Sequence, residues 1–480
     1  MSDQNEPAVS DPDLREPSHT TESADLLARE VVSSDAVPAA ATATLAAAAP
    51  RGDSAGPANE TAEGEIGIFY GFRYRNFRFL WIGSAFQSAA MWIQLTTIGW
   101  VSYDLTGSGG LVGAVSSVGN LATPFVAPFS GLASDRFSRN MVVAVSQALL
   151  LINAVVLAAV IALGMLEVWH LFVFAIVGGT LNAFNQPARQ TLVFDVVPRP
   201  VVPNAVALSN LAFSTMRTVG PMLGGGLIAL FGPANNFLVQ ALAYLCVAVT
   251  ALMIRVPPRP VTPRTTSFVK DVAEGYRYAL SNPQTRILLL MLTIYPTFII
   301  PLHNALMPIF AKDVFHEGAS ALGLLLGALG AGGIVGGLFA ASLNRVDRRG
   351  LLQLNAMFLC SLGQAGFGIF GSLTGSVWVG VVLLFLAGVG GSLFNTTNQT
   401  VVQLVAPDHL RGRITSVMQV QPLCMAVGTL IAGAAADVFG VVAVTATFNL
   451  TAFAIAFLVL VFSPRMRDLR LSRLGSHRSA

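Results

Sequence analysis

Charge is scarce in this 480-residue chain. Asp, Glu, Lys and Arg together make up 11% of it against 54% hydrophobic residues, and the mean hydropathy is +0.65. Water-soluble globular chains carry roughly 25% charged residues, so an ordinary soluble protein is excluded. Cysteine is scarcer still: Cys246, Cys360 and Cys424 all lie in apolar segments at no ligand-like spacing, which excludes a disulfide framework and a cysteine zinc site and leaves them as small core residues. The sequence lacks a GxxxxGK[ST] phosphate loop, a Ser/His/Asp arrangement and any metal-ligand cluster at catalytic spacing. No enzymatic activity, cofactor or nucleic-acid partner is therefore expected, and energy for any work has to come from an ion or solute gradient.

Acids are also missing from most of the apolar region, because they crowd the beginning. Residues 1–65 hold acids from Asp3 to Glu65 against only Arg15, Arg29 and Arg51, with much Ala, Ser and Pro. Such a stretch buries too little apolar area to offset its ordering entropy and reads as a disordered acidic tail. It shows no charged n-region followed by a short apolar core, so the first spanning helix is expected to double as insertion signal.

What the rest contains is apolar runs of eighteen or more residues, each long enough to cross a bilayer core of roughly 30 Å as a helix. The predicted spans run about 79–103, 110–133, 141–164, 168–191, 204–231 and 235–254, then about 287–311, 319–343, 351–372, 376–401, 414–438 and 441–463. An all-α membrane protein of twelve transmembrane helices in two six-helix, pseudo-symmetric halves is the fold class. The halves are 66–254 and 287–463, joined by a linker at 255–286 and followed by a basic tail at 464–480. Before the first span, aromatics alternate with Arg73, Arg75 and Arg78, which suits the headgroup level. The linker opens with Pro257, Pro258, Pro260 and Pro263 and continues into an amphipathic stretch from Ser267 to Leu280. Loops of one side carry Arg136, Arg139, Arg199, Arg345, Arg348, Arg349, Arg411 and Arg413, whereas the other side offers Lys312. Both termini are accordingly expected in the cytoplasm of an inner or plasma membrane.

The two halves echo each other. Gly131 to Asn140, with Asp135, Arg136 and Arg139, is matched by Ala340 to Arg349, with Asn344, Arg345 and Arg348, and Gln190-Thr191 is matched by Gln399-Thr400. Duplicated six-helix halves are a transporter signature, since alternating access rocks one half against the other. In the fourth span Asn182, Asn185, Gln186, Arg189 and Gln190 share a helical face, as do Asn395, Asn398, Gln399 and Gln403 in the tenth. Polar side chains in hydrocarbon need a wet cavity or a partner, so the stripes either line a central path or gate or bind neighbouring helices.

Arg217 lies mid-span before Gly220, Pro221 and Gly224, and a guanidinium there calls for a carboxylate or carbonyl partner. The glycines suit close helix packing or a gate, and Pro221 suits a bend. The glycines of the eighth span favour packing. Asp104, Asp195, Asp313 and Asp437 stand at span ends, where a solvated charge is the simpler reading than a proton carrier. Asp104, Asp195 and the lone His303 are the candidates for ion coupling.

These residues resemble the major facilitator superfamily over roughly residues 69–463. Gly131 to Arg139 is similar to that superfamily's loop between spans two and three. Pro187-Ala188-Arg189-Gln190, Asn204-Ala205, Arg217 with Gly220-Pro221 and Gly224-Gly225, and Pro407 with Arg411-Gly412-Arg413 resemble the exporter group that includes the enterobactin exporter and the transmembrane secretion effectors. The resemblance implies the major facilitator fold and a monomeric, proton-coupled exporter of an amphipathic small molecule, drug or siderophore-like. It implies that Asp135 caps or pairs across a cytoplasmic gate held by Arg136 and Arg139, and that span five carries an exporter-type bend. Asn344 departs from the acid expected in the second loop, and the first span lacks a mid-membrane carboxylate. An importer or facilitator of the same fold, or a non-transporting scaffold or sensor, are the alternatives.

Overall fold

A computed structural model describes residues 69–255, 283–343, 346–405 and 421–469. The acidic tail, most of the linker, Asn344, Arg345 and the start of the predicted eleventh span lie outside the described residues. Within them the chain is helical. A single turn at Tyr70–Arg73 leads into α1 (Arg75–Thr106), followed by α2 (Gly109–Arg136), α3 (Arg139–Ala162) and α4 (Val168–Val196). One unbroken run, Val202–Met253, contains a single non-helical residue, Gly232, with φ +79° and Pro233 directly after it. A left-handed glycine before a proline is a helix stop and restart, so the run is two spans, α5 (202–231) and α6 (233–253).

The second set comprises α7 (Arg286–Val314), α8 (Ala319–Ser342), α9 (Arg349–Thr374), α10 (Val377–Val405), α11 (Gln421–Phe439) and α12 (Val441–Phe462). Split at Gly232, the long helices among the described residues are twelve, as the apolar runs predict. Nine stretches of them, the unsplit pair being one, are apolar and long enough to cross a bilayer. α1 is long enough but is diluted by Gln87, Ser88, Gln94, Thr96, Thr97 and Ser102, most of them buried. Several of its polar groups meet partners inside the first half. Gln94 accepts from Gln240 Nε2 at 2.6 Å and from the Tyr244 hydroxyl at 2.8 Å, and the Thr97 hydroxyl accepts from Asn236 Nδ2 at 2.7 Å. In hydrocarbon each unmet polar group costs several kcal/mol, so such a network is what permits a polar first span.

The aromatics before α1 fold back onto the first half. Phe72 meets Trp81 edge-on at 5.0 Å, Gly71 N–H donates to Asn204 Oδ1 at 2.9 Å, and Trp81 Nε1 donates to the Leu208 carbonyl at 3.0 Å.

α7 is not a regular helix. It contains three five-residue π-helical stretches, Tyr295–Ile299, Leu302–Leu306 and Phe310–Val314. Pro296, Pro301 and Pro308 punctuate the segment, and each removes the N–H of an ordinary i to i−4 bond. The π turns take up the mismatch, and His303 rides on the second of them.

The halves meet mainly through two helix pairs, α2 with α11 and α5 with α8. By the internal repeat α8 is the counterpart of α2 and α11 of α5, so each half offers its second and fifth helix. Close approach is what small residues allow. A β-carbon at Gly225 would stand 2.7 Å from Gly323 Cα, and one at Gly113 would stand 2.7 Å from the Thr429 carbonyl oxygen. The other face of α8 packs on α10, where a β-carbon at Gly336 would meet the Val389 carbonyl oxygen at 2.3 Å. Packing between two neighbours accounts for these glycines of the eighth span.

Candidate functional site

The described polar contacts that join the halves gather at the end of the bundle holding Asp104 and Asp437. Asp437, at the end of α11, accepts from Gly109 N–H at 2.6 Å, Gly110 N–H at 2.9 Å and the Ser108 hydroxyl at 2.6 Å. A carboxylate at that place both fills orphan donors and complements the positive end of the α2 dipole. Lys312 of α7 pairs with Asp104 of α1 at 2.5 Å and stands 6.0 Å from the Trp100 ring and 5.9 Å from the Tyr103 ring. The Tyr103 hydroxyl donates to Asp313. Beneath these contacts lies an apolar plug in which Tyr103 and Val112 of the first half pack among Leu302, Phe310, Phe315 and Leu326 of the second. Deeper again, Ser116 donates to the Asn304 carbonyl at 3.0 Å and Ser117 to the Ala426 carbonyl at 2.8 Å.

Asp104, Asp313 and Asp437, expected as solvated charges, are therefore contacts between halves. Sequence reasoning missed this because the partners lie 208, 210 and 328 positions apart. Only the coincidence of acids and a lysine at the same end of several spans hinted at it.

At the opposite end the described contacts stay within one half. Arg139, at the start of α3, pairs with Asp195 at the end of α4 at 2.6 Å, and the Asp195 side chain is only 3% exposed. Asp195 is thus not a solvated helix-end charge, and Arg139 is engaged inside its own half. Arg348 is exposed just before α9. The Gly131, Asp135 and Arg136 side chains, with Asn344 and Arg345, lie outside the described residues.

The two polar stripes are brought to the interiors of their own halves at Asn185 and Arg189 in the first and at Asn398 in the second. Arg189 extends among Phe79, Leu80, Val143, Val247 and Thr250 of α1, α3 and α6, and its Nη1 has no hydrogen-bond partner among the described residues. Asn398, its counterpart in the repeat, is buried and accepts from Gln353 Nε2 at 2.8 Å. Asn185 is buried, Asn182 donates to its own helix at the Gly178 carbonyl, and Gln399 donates to Asn395 at 3.3 Å. Gln186 is half-buried, Gln190 is exposed, and the Gln403 side chain lies outside the described residues. Each stripe is thus divided between the interior of its half and a more open edge.

Around the predicted bend of span five, α5 stays helical through Gly220, Pro221 and Gly224, and the one non-helical residue is Gly232. Pro221 has no N–H to give the Arg217 carbonyl four residues before it. That carbonyl faces α8, where a β-carbon at Gly330 would approach it to 2.6 Å. Gly220 and Gly224 face α1: β-carbons there would stand 2.6 Å from Trp92 Cβ and 3.3 Å from Thr96 Cβ. The Arg217 guanidinium has no carboxylate or hydrogen-bond partner among the described residues, contrary to expectation, and lies over the bare backbone of Gly333. His303 is half-buried and shares a hydrogen bond with Gln364 Nε2 at 2.8 Å.

Comparison with known proteins agrees with this architecture. The profile of a family described as transmembrane secretion effector matches residues 66–476. The multidrug efflux pump Tap of Mycolicibacterium fortuitum is 27% identical over 79% of this chain and 93% of its own length. The staphyloferrin A transporter of Staphylococcus aureus is 22% identical over 82% of this chain and 94% of its own. Among solved structures, the nucleoside transporter NupG superposes with a TM-score of 0.63 at 16% identity, covering 81% of this chain and 98% of that one. A bacterial homolog of the human lysosomal transporter Spinster, solved inward-facing and unoccupied, superposes with a TM-score of 0.61 at 13% identity, covering 82% and 97%. At such identities the structural likeness speaks to fold.

Proposed function

Since the chain belongs to the transmembrane secretion effector family of the major facilitator superfamily, and is therefore a multi-pass membrane transporter and not an enzyme, we propose that it is a secondary exporter of an amphipathic small molecule. The substrate is drug- or siderophore-like, and transport proceeds by alternating access with protons as the counter-ion. The observation that carries this reading is the closure at one end: among the described residues, Asp437 on α2, Lys312 on Asp104 and the apolar plug join the two halves there. Arginine-rich loops mark the other end as cytoplasmic, so the sealed end is the outer one. An exporter in that state awaits its cargo from inside.

The test is substrate-dependent proton flux in vesicles reconstituted with the purified protein. An imposed pH gradient should drive accumulation of an amphipathic dye against its own gradient, and dissipating the gradient should stop it. Accumulation indifferent to the pH gradient would remove the antiport reading, and absence of movement for every amphiphile tried would remove the exporter reading.

A further inference from the structure

Arg217 is a charge at mid-length of a spanning helix without a counter-charge among the described residues. The described acids of the spans are already engaged at helix ends, Asp104 by Lys312, Asp313 by Tyr103, Asp437 by the α2 N-terminus and Asp195 by Arg139. The guanidinium crosses from α5 into the opposite half. A β-carbon at Gly333 of α8 would stand 3.2 Å from its Nη2 and 3.3 Å from its Cζ. Its charge acts on Tyr295 and His303 of α7 and on Cys360 of α9, so polar groups of two further helices lie near it. Phe213, one turn earlier on the same face, packs against Trp92 of α1 with ring centroids 6.0 Å apart. The site thus combines one unneutralised cation, neutral polar neighbours and an aromatic surface.

A guanidinium held at this depth is costly unless an anion meets it. We propose that Arg217 anchors the carboxylate of an amphipathic anionic substrate, whose apolar body lies on Phe213 and Trp92 while His303 and Tyr295 supply hydrogen bonds. Arg is suited to this because its planar fork matches a carboxylate bidentately. The inference rests on the transport reading and names its substrate class. A phospholipid headgroup presents a similar oxyanion, so the test separates the two.

The experiment uses the full chain in phosphatidylcholine nanodiscs. Thermal unfolding is followed with three probes sharing one ring system: 2-naphthaleneacetate, its neutral amide and 2-naphthylmethylammonium. Only the carboxylate should raise the midpoint, since ligands that bind the native state stabilise it. Arg217→Met should weaken its binding on the order of ten- to a hundred-fold, the worth of a charged hydrogen-bonded contact, and Arg217→Lys should fall between. Gly333→Ala, which crowds the guanidinium without removing it, should weaken carboxylate binding several-fold and keeps the test open where Arg217→Met fails to fold. Equal stabilisation by the ammonium probe, or an undiminished carboxylate response in Arg217→Met, overturns the proposal. So does an Arg217-dependent stabilisation by added phosphatidylglycerol with no response to naphthaleneacetate, which would give the site to lipid. In vesicles, export of the ammonium probe at equal rates by wild type and Arg217→Met would sink the anion site and leave the exporter standing. Arg217-dependent binding without movement of any probe would do the reverse.

Discussion

Asp437 of α11 accepts the backbone N–H of Gly109 at 2.6 Å across the boundary between the two halves, so the first turn of one half's second helix is capped by the other half. In the proposed alternating-access cycle the cap exists only while this end is closed. Its removal acts on the balance of states more than on the fold. Asp437→Ala should cost the closed state about 1 kcal/mol, the usual worth of an N-cap, and so raise the outward-open population severalfold. A cysteine placed at Ser116 should then react faster with a membrane-impermeant maleimide added outside. Unchanged labelling would mean that the cap contributes nothing to the seal.

Lys312 and Asp104 sit at the same end but should matter less. Their side chains are 38% and 59% exposed, and exposed ion pairs contribute about 0–1 kcal/mol and are screened by salt. Lys312→Met should shift outside labelling of the Ser116 cysteine less than Asp437→Ala does, with the difference from wild type vanishing at high salt. An effect larger than that of Asp437→Ala would place the main outer contact on α1 and α7.

Arg139 and Asp195 form the strongest described ion pair, because one partner is buried while the other stays 31% exposed. Asp195→Ala deprives the Arg139 guanidinium of its buried carboxylate partner and should destabilise by about 1–3 kcal/mol. A double-mutant cycle with Arg139→Ala should return a coupling of about 0.5–3 kcal/mol, read from thermal unfolding in detergent. Transport by the exchanged pair, Arg139→Asp with Asp195→Arg, should recover part of what either single change loses. Additive losses would show that the two side chains act apart.

Much of the fold was legible because its signals are local. Eighteen-residue apolar runs announce spans, arginines announce one set of loops, and the gap between the runs at 204–231 and 235–254 announces the break between α5 and α6. The prolines of α7 are visible in the sequence, but π turns depend on what the neighbouring helices tolerate and have no local signal. The site was less legible because periodicity fixes which residues share a face without fixing what that face meets. Arg189 and Asn398 were found by spacing, but only the packing of α1, α3 and α9 shows them turned into their own halves. Asp437 and Asp195 looked alike in the sequence, a lone acid near a span end. One caps a helix of the other half and the other pairs inside its own.

Gly224 and Gly225 offer the sharpest separation of stability from mechanism, since they are neighbours that face different partners. A β-carbon on Gly224 would stand 3.3 Å from Thr96 Cβ and 3.4 Å from Ile93 Cα, both within the first half. One on Gly225 would stand 2.5 Å from the Ala319 carbonyl oxygen and 2.7 Å from Gly323 Cα, across the boundary. Overpacking of this kind costs about 1–3 kcal/mol. For Gly224→Ala the strain is internal to one half and accompanies every state, so thermal stability should fall while outside labelling of the Ser116 cysteine stays unchanged. For Gly225→Ala the strain is relieved when α5 and α8 part, so outside labelling should rise, on the order of tenfold for 1.4 kcal/mol, with little loss of stability. Identical behaviour of the two variants in both measurements would show that α5 and α8 do not separate during the cycle.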